Sequence, residues 1–225
     1  MVGDKPVPGV LRTKEEARRS YDRLSSWYDL FSGSGEFKLA IATLDRMKLP
    51  EGGTILEVGF GTGKLLLEII RRVGKNGCVY GVDLSPGMCR FSRFRYGKAC
   101  ILDRALLITG DGYRLPIRSG SMDGIFMGFT LELFDTPELL PVIQECMRVL
   151  KPGGQLGVVY LSASKRPGFA EQLYMKAHER WPRLVDCRPI DPIPLLITSG
   201  FSSGEFVFGK LWGLPVAQLV LEKKR

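Results

Sequence analysis

"TILEVGFGTGKLLLEIIRRVG", Thr54 to Gly74, runs a short apolar stretch into glycines at every second position, Gly59, Gly61 and Gly63, and then into an apolar helical pattern. A strand passing directly into a helix is the opening βα unit of an open α/β sheet. Glycines at such a turn permit backbone conformations that side chains forbid, and they let N–H groups touch a ligand. A phosphate cradle is the commoner association of a Gly-rich turn that opens a helix. Its dinucleotide form reads G-x-G-x-x-G/A. Here Gly59 and Gly61 match, Lys64 holds the third required position, and the third glycine comes one residue early at Gly63. The loop alone leaves a phosphate and a different ligand both open.

Working outward, short apolar runs alternate with helix-length segments. "TILEV" (54–58), "CVYGVD" (78–83), "ALLIT" (105–109), "GIFMGF" (124–129) and "QLGVVYL" (155–161) read as strands. "KLLLEIIRRV" and "PELLPVIQECMRVL" read as helices, the latter aligning Leu139, Val142, Ile143, Cys146, Met147 and Leu150 on one face. Such alternation predicts βαβ units and a doubly wound, Rossmann-like, mostly parallel sheet covered on both sides. The tail breaks the rhythm. Two strand-like runs, about 204–212 and 215–222, flank Gly-Leu-Pro with no helix between them, so the seven-stranded sheet is expected to end in an antiparallel hairpin. "KEEARRSYDRLSSWYDLF" places Ala17, Tyr21, Leu24, Tyr28 and Phe31 along one face, predicting an amphipathic lid helix over 14–31. One domain spanning 1–225 is the economical reading: an N-terminal helical cap (1–49), a ligand-binding core (50–161), then a covering segment and hairpin (162–225).

Composition excludes several classes. Hydrophobic residues at 44% and charged residues at 25% are ordinary globular values. The apolar runs fall short of a bilayer span, and the N-terminus lacks the apolar core of a secretory signal, so a cytoplasmic protein is expected. Five cysteines form no CxxC pair, which argues against a disulfide framework or zinc site. No metal site is expected. The single histidine, His178, reads as an exposed helical residue. The net charge of +8 concentrates in "CRFSRFRYGKACILDR". This stretch reads either as an anionic-surface patch or as a helix with a solvated basic face and aromatics packed on the sheet. No nucleic-acid module accompanies it; peripheral contact with an anionic membrane stays open.

The strand ends point to a nucleoside. Asp83 closes the second strand, twenty residues past Gly63, where a carboxylate can accept both hydroxyls of a ribose. Asp111, in "GDGYRLP", closes the third and can accept from an exocyclic amine of adenine. Three consecutive strand ends therefore carry nucleoside-recognising groups.

"ILEVGFGTGKLL", "VYGVDLSPGM", "LLITGDGYRLPIRSGSMDGIFM" and "RVLKPGG" resemble the successive motifs of class I S-adenosylmethionine-dependent methyltransferases, over about residues 50–161. The sub-type nearest in pattern is that of the ubiquinone and menaquinone C-methyltransferases, whose Tyr-Asp repeat before the first motif "YDRLSSWYD" also resembles. The resemblance implies that Gly59, Gly61 and Gly63 contact the methionine part of the cofactor, with Glu57 near its amino group. It implies Asp83 on the ribose, Leu84 and Met88 against the adenine, Asp111 on the adenine amine, Gly112 beside the ring, and Phe129 bordering the methyl group. Phe60, Tyr21 and Tyr28 are candidates for an aromatic wall facing the sulfonium. Where quinone C-methyltransferases carry an Arg-Asn pair after the fourth strand, this chain reads "GFTLELFDT"; the departure bears on the acceptor and leaves methyl transfer intact.

The expected activity is transfer of a methyl group to a small apolar or amphipathic acceptor: a quinol, an isoprenoid or a phospholipid headgroup. A carbon or oxygen acceptor needs a base; Glu132, Asp135 and the tyrosines Tyr21 and Tyr28 are the candidates. Two other classes compete: a non-catalytic cofactor-binding relative, and a nicotinamide-dependent oxidoreductase, against which Lys64 and the hairpin argue.

Overall fold

The computed structural model describes residues 15–16, 34–164, 166–181, 185 and 187–224. Helix α1 (Ser34–Leu44) leads into β1 (Thr54–Val58), α2 (Lys64–Arg72), β2 (Cys78–Asp83), α3 (Pro86–Lys98), β3 (Ala105–Thr109) and β4 (Met122–Gly128). A single 3-10 turn (Leu131–Leu133) precedes α4 (Thr136–Val149) and β5 (Leu150–Leu161). Then follow α5 (Phe169–Arg180), α6 (Ile193–Thr198), β6 (Phe201–Leu211) and β7 (Leu214–Lys223).

The strands form one seven-stranded sheet of order β3-β2-β1-β4-β5-β7-β6. β1 to β5 pair in parallel, and β7 lies antiparallel between β5 and β6. This is the expected doubly wound architecture with its terminal hairpin. Alternate side chains leave a strand on opposite faces, so each central strand feeds two cores. Leu56, Ile125, Leu156, Val158 and Leu219 pack on one side with Leu139, Val142 and Ile143 of α4 and Leu196 of α6. Ile55, Val79, Leu107, Phe126 and Val216 pack on the other with Leu44 of α1, Leu66 and Ile69 of α2 and Tyr96 of α3. The chain winds outward in both directions from β1, with β2 on one side and β4 on the other. The reversal opens a crevice beyond the carboxyl ends of these strands.

Local signals set the helix starts. Ser85 caps α3 by accepting from the Met88 N–H (3.1 Å), with proline in the first turn. Asp135 and Glu138 form a reciprocal capping box at α4. Asp135, a candidate base, is thus occupied in holding a helix end.

Several boundaries differ from expectation. β4 starts two residues early, β5 runs from Leu150, and the hairpin turns at Trp212–Gly213, so that Leu214 and Pro215 open β7. Of the aromatics on the basic helix α3, Tyr96 alone is buried, while Phe94 is exposed with Lys98 over its ring at 4.4 Å. The lid helix expected over 14–31 lies outside the described residues apart from residues 15 and 16, which are helical.

The pairing of β6 with β7 shifts register between Ser202 and Glu205. A methyl group at Gly204 would run into the Val220 backbone carbonyl, which cannot swing aside as a side chain can. Gly204→Ala is expected to destabilise the protein by about 1–3 kcal/mol, the usual effect of overpacking. Urea denaturation followed by circular dichroism measures it, and an unchanged midpoint would contradict the register assigned to the hairpin.

Candidate functional site

The Gly59–Gly63 loop lies at the crevice, and all three of its alternate glycines take left-handed backbone angles (φ 73°, 52° and 72°). Space requires glycine at two of them. A side chain at Gly59 would collide with Thr130, at the end of β4, and one at Gly63 would lie 2.5 Å from the Tyr96 hydroxyl and 2.8 Å from Ser92 Oγ. The same α3 groups hold the loop: Tyr96 donates to the Gly63 carbonyl (2.9 Å) and Ser92 to the Gly61 carbonyl (3.1 Å). Gly61 differs. No atom of the described residues lies within 4 Å of the place its side chain would take, which leaves room for a ligand on that side.

Asp83, half-buried at the end of β2, ties the loop to the neighbouring strand. Its Oδ2 accepts the Gly61 N–H and its Oδ1 the Ser85 N–H, both at 2.8 Å. Glu57 points from β1 toward α2 and is 4% exposed. The Leu66 N–H donates to it in the first turn of α2, whose N-cap Gly63 offers no side chain. Its Oε2 is buried with no hydrogen-bond partner among the described residues. Burial first, and then the Asp83 charge, push the Glu57 carboxyl well above its ordinary value; the Leu66 hydrogen bond opposes them. Burial, then Glu57, similarly raises the Tyr96 phenol.

At the end of β3, Asp111 Oδ1 accepts the Tyr113 N–H (3.0 Å), and Gly112 is closed in by Phe134 and Val58. Leu84 is half-buried and Met88 fully buried at the start of α3. At the end of β4, Phe129 adopts φ 52°, a strained left-handed conformation for a bulky residue, with its N–H on the Val159 carbonyl at 2.7 Å. Thr130 and the fully buried Glu132 follow; Glu132 Oε1 accepts the Leu161 N–H (3.1 Å) and so joins the ends of β4 and β5.

The structure thus brings Glu57, Gly59, Gly61, Gly63, Asp83, Leu84, Met88, Asp111, Gly112, Phe129 and Glu132 to one end of the sheet. Phe60 sits elsewhere. Its ring is buried over Gly81 among Leu66 and Leu107, in the core below the loop, and not on an open wall facing a sulfonium. Tyr21 and Tyr28 lie outside the described residues. His178 is 1% exposed, contrary to the expectation of a solvated histidine, and its Nδ1 lies 2.7 Å from the Val185 carbonyl. The reason is that α5 turns polar residues inward, Glu171 and His178, and leaves Phe169 and Leu173 outside. Ser92, Tyr96 and Thr130 were missed; Ser92 and Tyr96 are spaced i,i+4 on one face of α3, a signal that the surrounding charges mask.

The donor set fits a nucleoside with an amino-acid tail: a loop edge open at Gly61, an unspent buried carboxylate oxygen for a cation, and carboxylates at the ends of β2 and β3. A groove bounded by Lys48, Asp123, Lys151, Gln155 and Glu222 lies at the opposite, amino ends of β4 and β5 and plays no part in this arrangement. Among the described residues no group of histidine, cysteine, aspartate or glutamate side chains could hold a metal ion.

Comparison with known proteins agrees with this chemistry. A methyltransferase domain model matches residues 55–154. The chain is 32% identical over 167 residues to the demethylmenaquinone methyltransferase of Listeria welshimeri, covering 72% of this chain and 70% of that protein. In structure it is similar to a SAM-dependent methyltransferase from Aquifex aeolicus (TM-score 0.64, 20% identity, covering 88% and 97% of the two chains). It is also similar to the [4+2]-cyclase SpnF (TM-score 0.76, 17% identity, covering 97% and 98%), a likeness of fold alone. The chain therefore belongs to the class I S-adenosylmethionine-dependent methyltransferases of the quinone-methyltransferase type, with S-adenosylmethionine as its cofactor.

Proposed function

We propose that the methyl acceptor is a quinol of the demethylmenaquinol class, on the strength of the 167-residue similarity to demethylmenaquinone methyltransferase. When bound, the cofactor supplies an electrophilic methyl group on a sulfonium, so the donor needs no further activation. The chain's work is to bind, orient and take up a proton. Glu57 Oε2 would accept from the ammonium of the methionine tail, and Gly61 would leave room for that tail beside the loop. Asp83 holds the ribose hydroxyls, already fixed in place by two backbone N–H groups. Asp111 takes the adenine amine, with Leu84, Met88 and Gly112 about the ring. Phe129 borders the methyl group from the end of β4. The crevice then has to hold the acceptor about 3–3.5 Å from that carbon, in line with its bond to sulfur. Of the candidate bases among the described residues, Glu132 stands where β4 and β5 end and is the one we assign to the acceptor proton.

A quinol with an isoprenoid tail resides in a membrane, and two surfaces suit one. Phe94 is exposed beside Lys98 on α3. Phe169 and Leu173 are exposed one turn apart on α5, and Trp212 is exposed on the hairpin turn, where Gly213 abuts Ala170 of α5. No helix among the described residues is long and apolar enough to cross a bilayer. Peripheral contact with an anionic surface fits this combination.

Incubation with radiolabelled S-adenosylmethionine and a short-chain demethylmenaquinol is expected to label the quinol; no label across a series of chain lengths would sink the acceptor assignment. Asp83→Ala should weaken S-adenosylhomocysteine binding by about 1.5–3 kcal/mol in calorimetry, the range for hydrogen bonds to a charged group. Unchanged affinity in the folded variant would remove Asp83 from the ribose. Glu57 predicts a pH dependence. Its carboxyl is held above its ordinary value of 4.5 in the folded state, so its ionisation costs stability as pH rises from that value through the raised one. Without cofactor, Glu57→Gln should therefore melt above the wild type at pH 8, with the difference closing toward pH 4. The stabilisation given by S-adenosylhomocysteine should shrink in the same variant. A variant that melts lower at every pH would contradict the first statement, and an undiminished ligand-induced shift the second. Finally, phosphatidylglycerol vesicles should co-sediment the protein at low salt and phosphatidylcholine vesicles should not; equal partition would argue against the surface contact.

A further inference from the structure

Beyond the cofactor cradle, buried polar groups gather at the carboxyl end of β5. The parallel bridge between Ser162 and Ile190 lays residues 188–190 against that end, with the Ile190 N–H on the Leu161 carbonyl and the Ala163 N–H on the Ile190 carbonyl. Alternate residues of paired strands share a face. Tyr160 and Ile190 belong to the same core, against which Phe134 also packs, and Arg188 stands two residues before Ile190. Arg188 is 2% exposed and Tyr160 is fully buried. Arg188 Nη2 donates to the Phe134 carbonyl at 2.8 Å, immediately after the turn that carries Glu132. Arg188 Nε and the Tyr160 hydroxyl have no hydrogen-bond partner among the described residues.

Such atoms are rare in folded proteins, because each lost water contact must be replaced. Two of them where the chain crosses the carboxyl end of β5, at the strand ends where ligands of this fold bind, mark a place built for an oxygen. The charges around it narrow the kind of oxygen. Asp135 and Glu132 act on Arg188, and Asp191 and Glu132 on Tyr160. This acidic surround balances the guanidinium and opposes a carboxylate or phosphate. A neutral ring oxygen suits it: a hydroxyl or carbonyl that accepts from Arg188 Nε–H and from the Tyr160 hydroxyl.

We propose that Arg188 and Tyr160 form the polar end of the acceptor site and hold a ring oxygen of the quinol, orienting the ring toward the methyl group. This rests on the quinol reading above, deepens it, and is separable from it by experiment. Tyr160→Phe removes one hydroxyl and no packing volume, and that hydroxyl has no partner to lose, so its melting temperature should equal or exceed that of the wild type. With a short-chain demethylmenaquinol, its KM for the quinol should rise roughly tenfold while S-adenosylhomocysteine affinity stays within twofold. Arg188→Lys keeps the positive charge and loses the Nε–H, and should raise the same KM by at least as much. If that variant fails to fold, Tyr160→Phe decides alone. Wild-type acceptor kinetics in Tyr160→Phe, with a product complex showing a bound water on both atoms, would overturn the proposal. If the wild type does not methylate the quinol, the quinol reading fails first. Quenching of tryptophan fluorescence by a short-chain naphthoquinone, in the presence of S-adenosylhomocysteine, then tests the pair directly. Weaker quenching in Tyr160→Phe upholds the oxygen site; equal quenching, or none in the wild type, overturns it.

Discussion

The 2.8 Å hydrogen bond from the Gly61 N–H to Asp83 joins the loop after β1 to the end of β2, and the geometry of the cofactor end depends on it. A loop with three left-handed residues has no regular ladder to hold it, so each backbone group needs a partner of its own. Asp83 satisfies the Gly61 N–H, Ser92 its carbonyl, and Tyr96 the Gly63 carbonyl. Each of these partners comes from β2 or α3. The loop is therefore shaped by the second βα unit. Such preorganisation reduces the ordering penalty when the cofactor binds. It also explains the one-residue offset at Gly63, where the Tyr96 hydroxyl occupies the space a side chain would need.

The cofactor end was legible in the sequence because short-range rules specify it. A strand has to stop where its carbonyls meet the crevice, so the residues after β1, β2 and β3 project there whatever else the chain does. Periodicity found those strands to the residue at Thr54–Val58, Cys78–Asp83 and Ala105–Thr109. It found β5 less well, because "LKPGG" contains proline and glycine, which a local reading assigns to a turn. In the fold Leu150 pairs with Met122, and that pairing, 28 residues apart in sequence, carries the strand back through them.

The acceptor end was much less legible, and the reason is again physical. Its polar groups come from separate segments: Glu132 from the turn after β4, Tyr160 from β5, and Arg188 from the run before α6. Nothing local distinguishes a buried arginine from a solvated one. Phe60 shows the converse error: an aromatic beside a glycine loop looks like a ligand wall, yet Gly81 on β2 leaves a space that the ring fills. His178 misled in the same way, since α5 buries Glu171 and His178 and exposes Phe169 and Leu173.

The burial of polar groups bears on how specificity is divided across the sheet. A helix turns an apolar face inward when its function is to cover a core. α5 buries Glu171 and His178 instead, each with a polar atom that no described residue satisfies. On the other side of the sheet Tyr160 gives the β5 end a hydrogen-bonding group of its own, while the β1–β2 end presents backbone N–H groups and paired carboxylates. The two ends differ in what can change them. The cofactor end is tied to backbone conformation, and almost any substitution at Gly59 or Gly63 collides with a neighbour. At the proposed acceptor end single side chains would carry the recognition, so one substitution could alter the oxygen pattern it accepts and leave the loop and Asp83 untouched. A fold arranged in this way keeps one methyl donor while its acceptor varies, because the two recognitions share the sheet but none of its side chains.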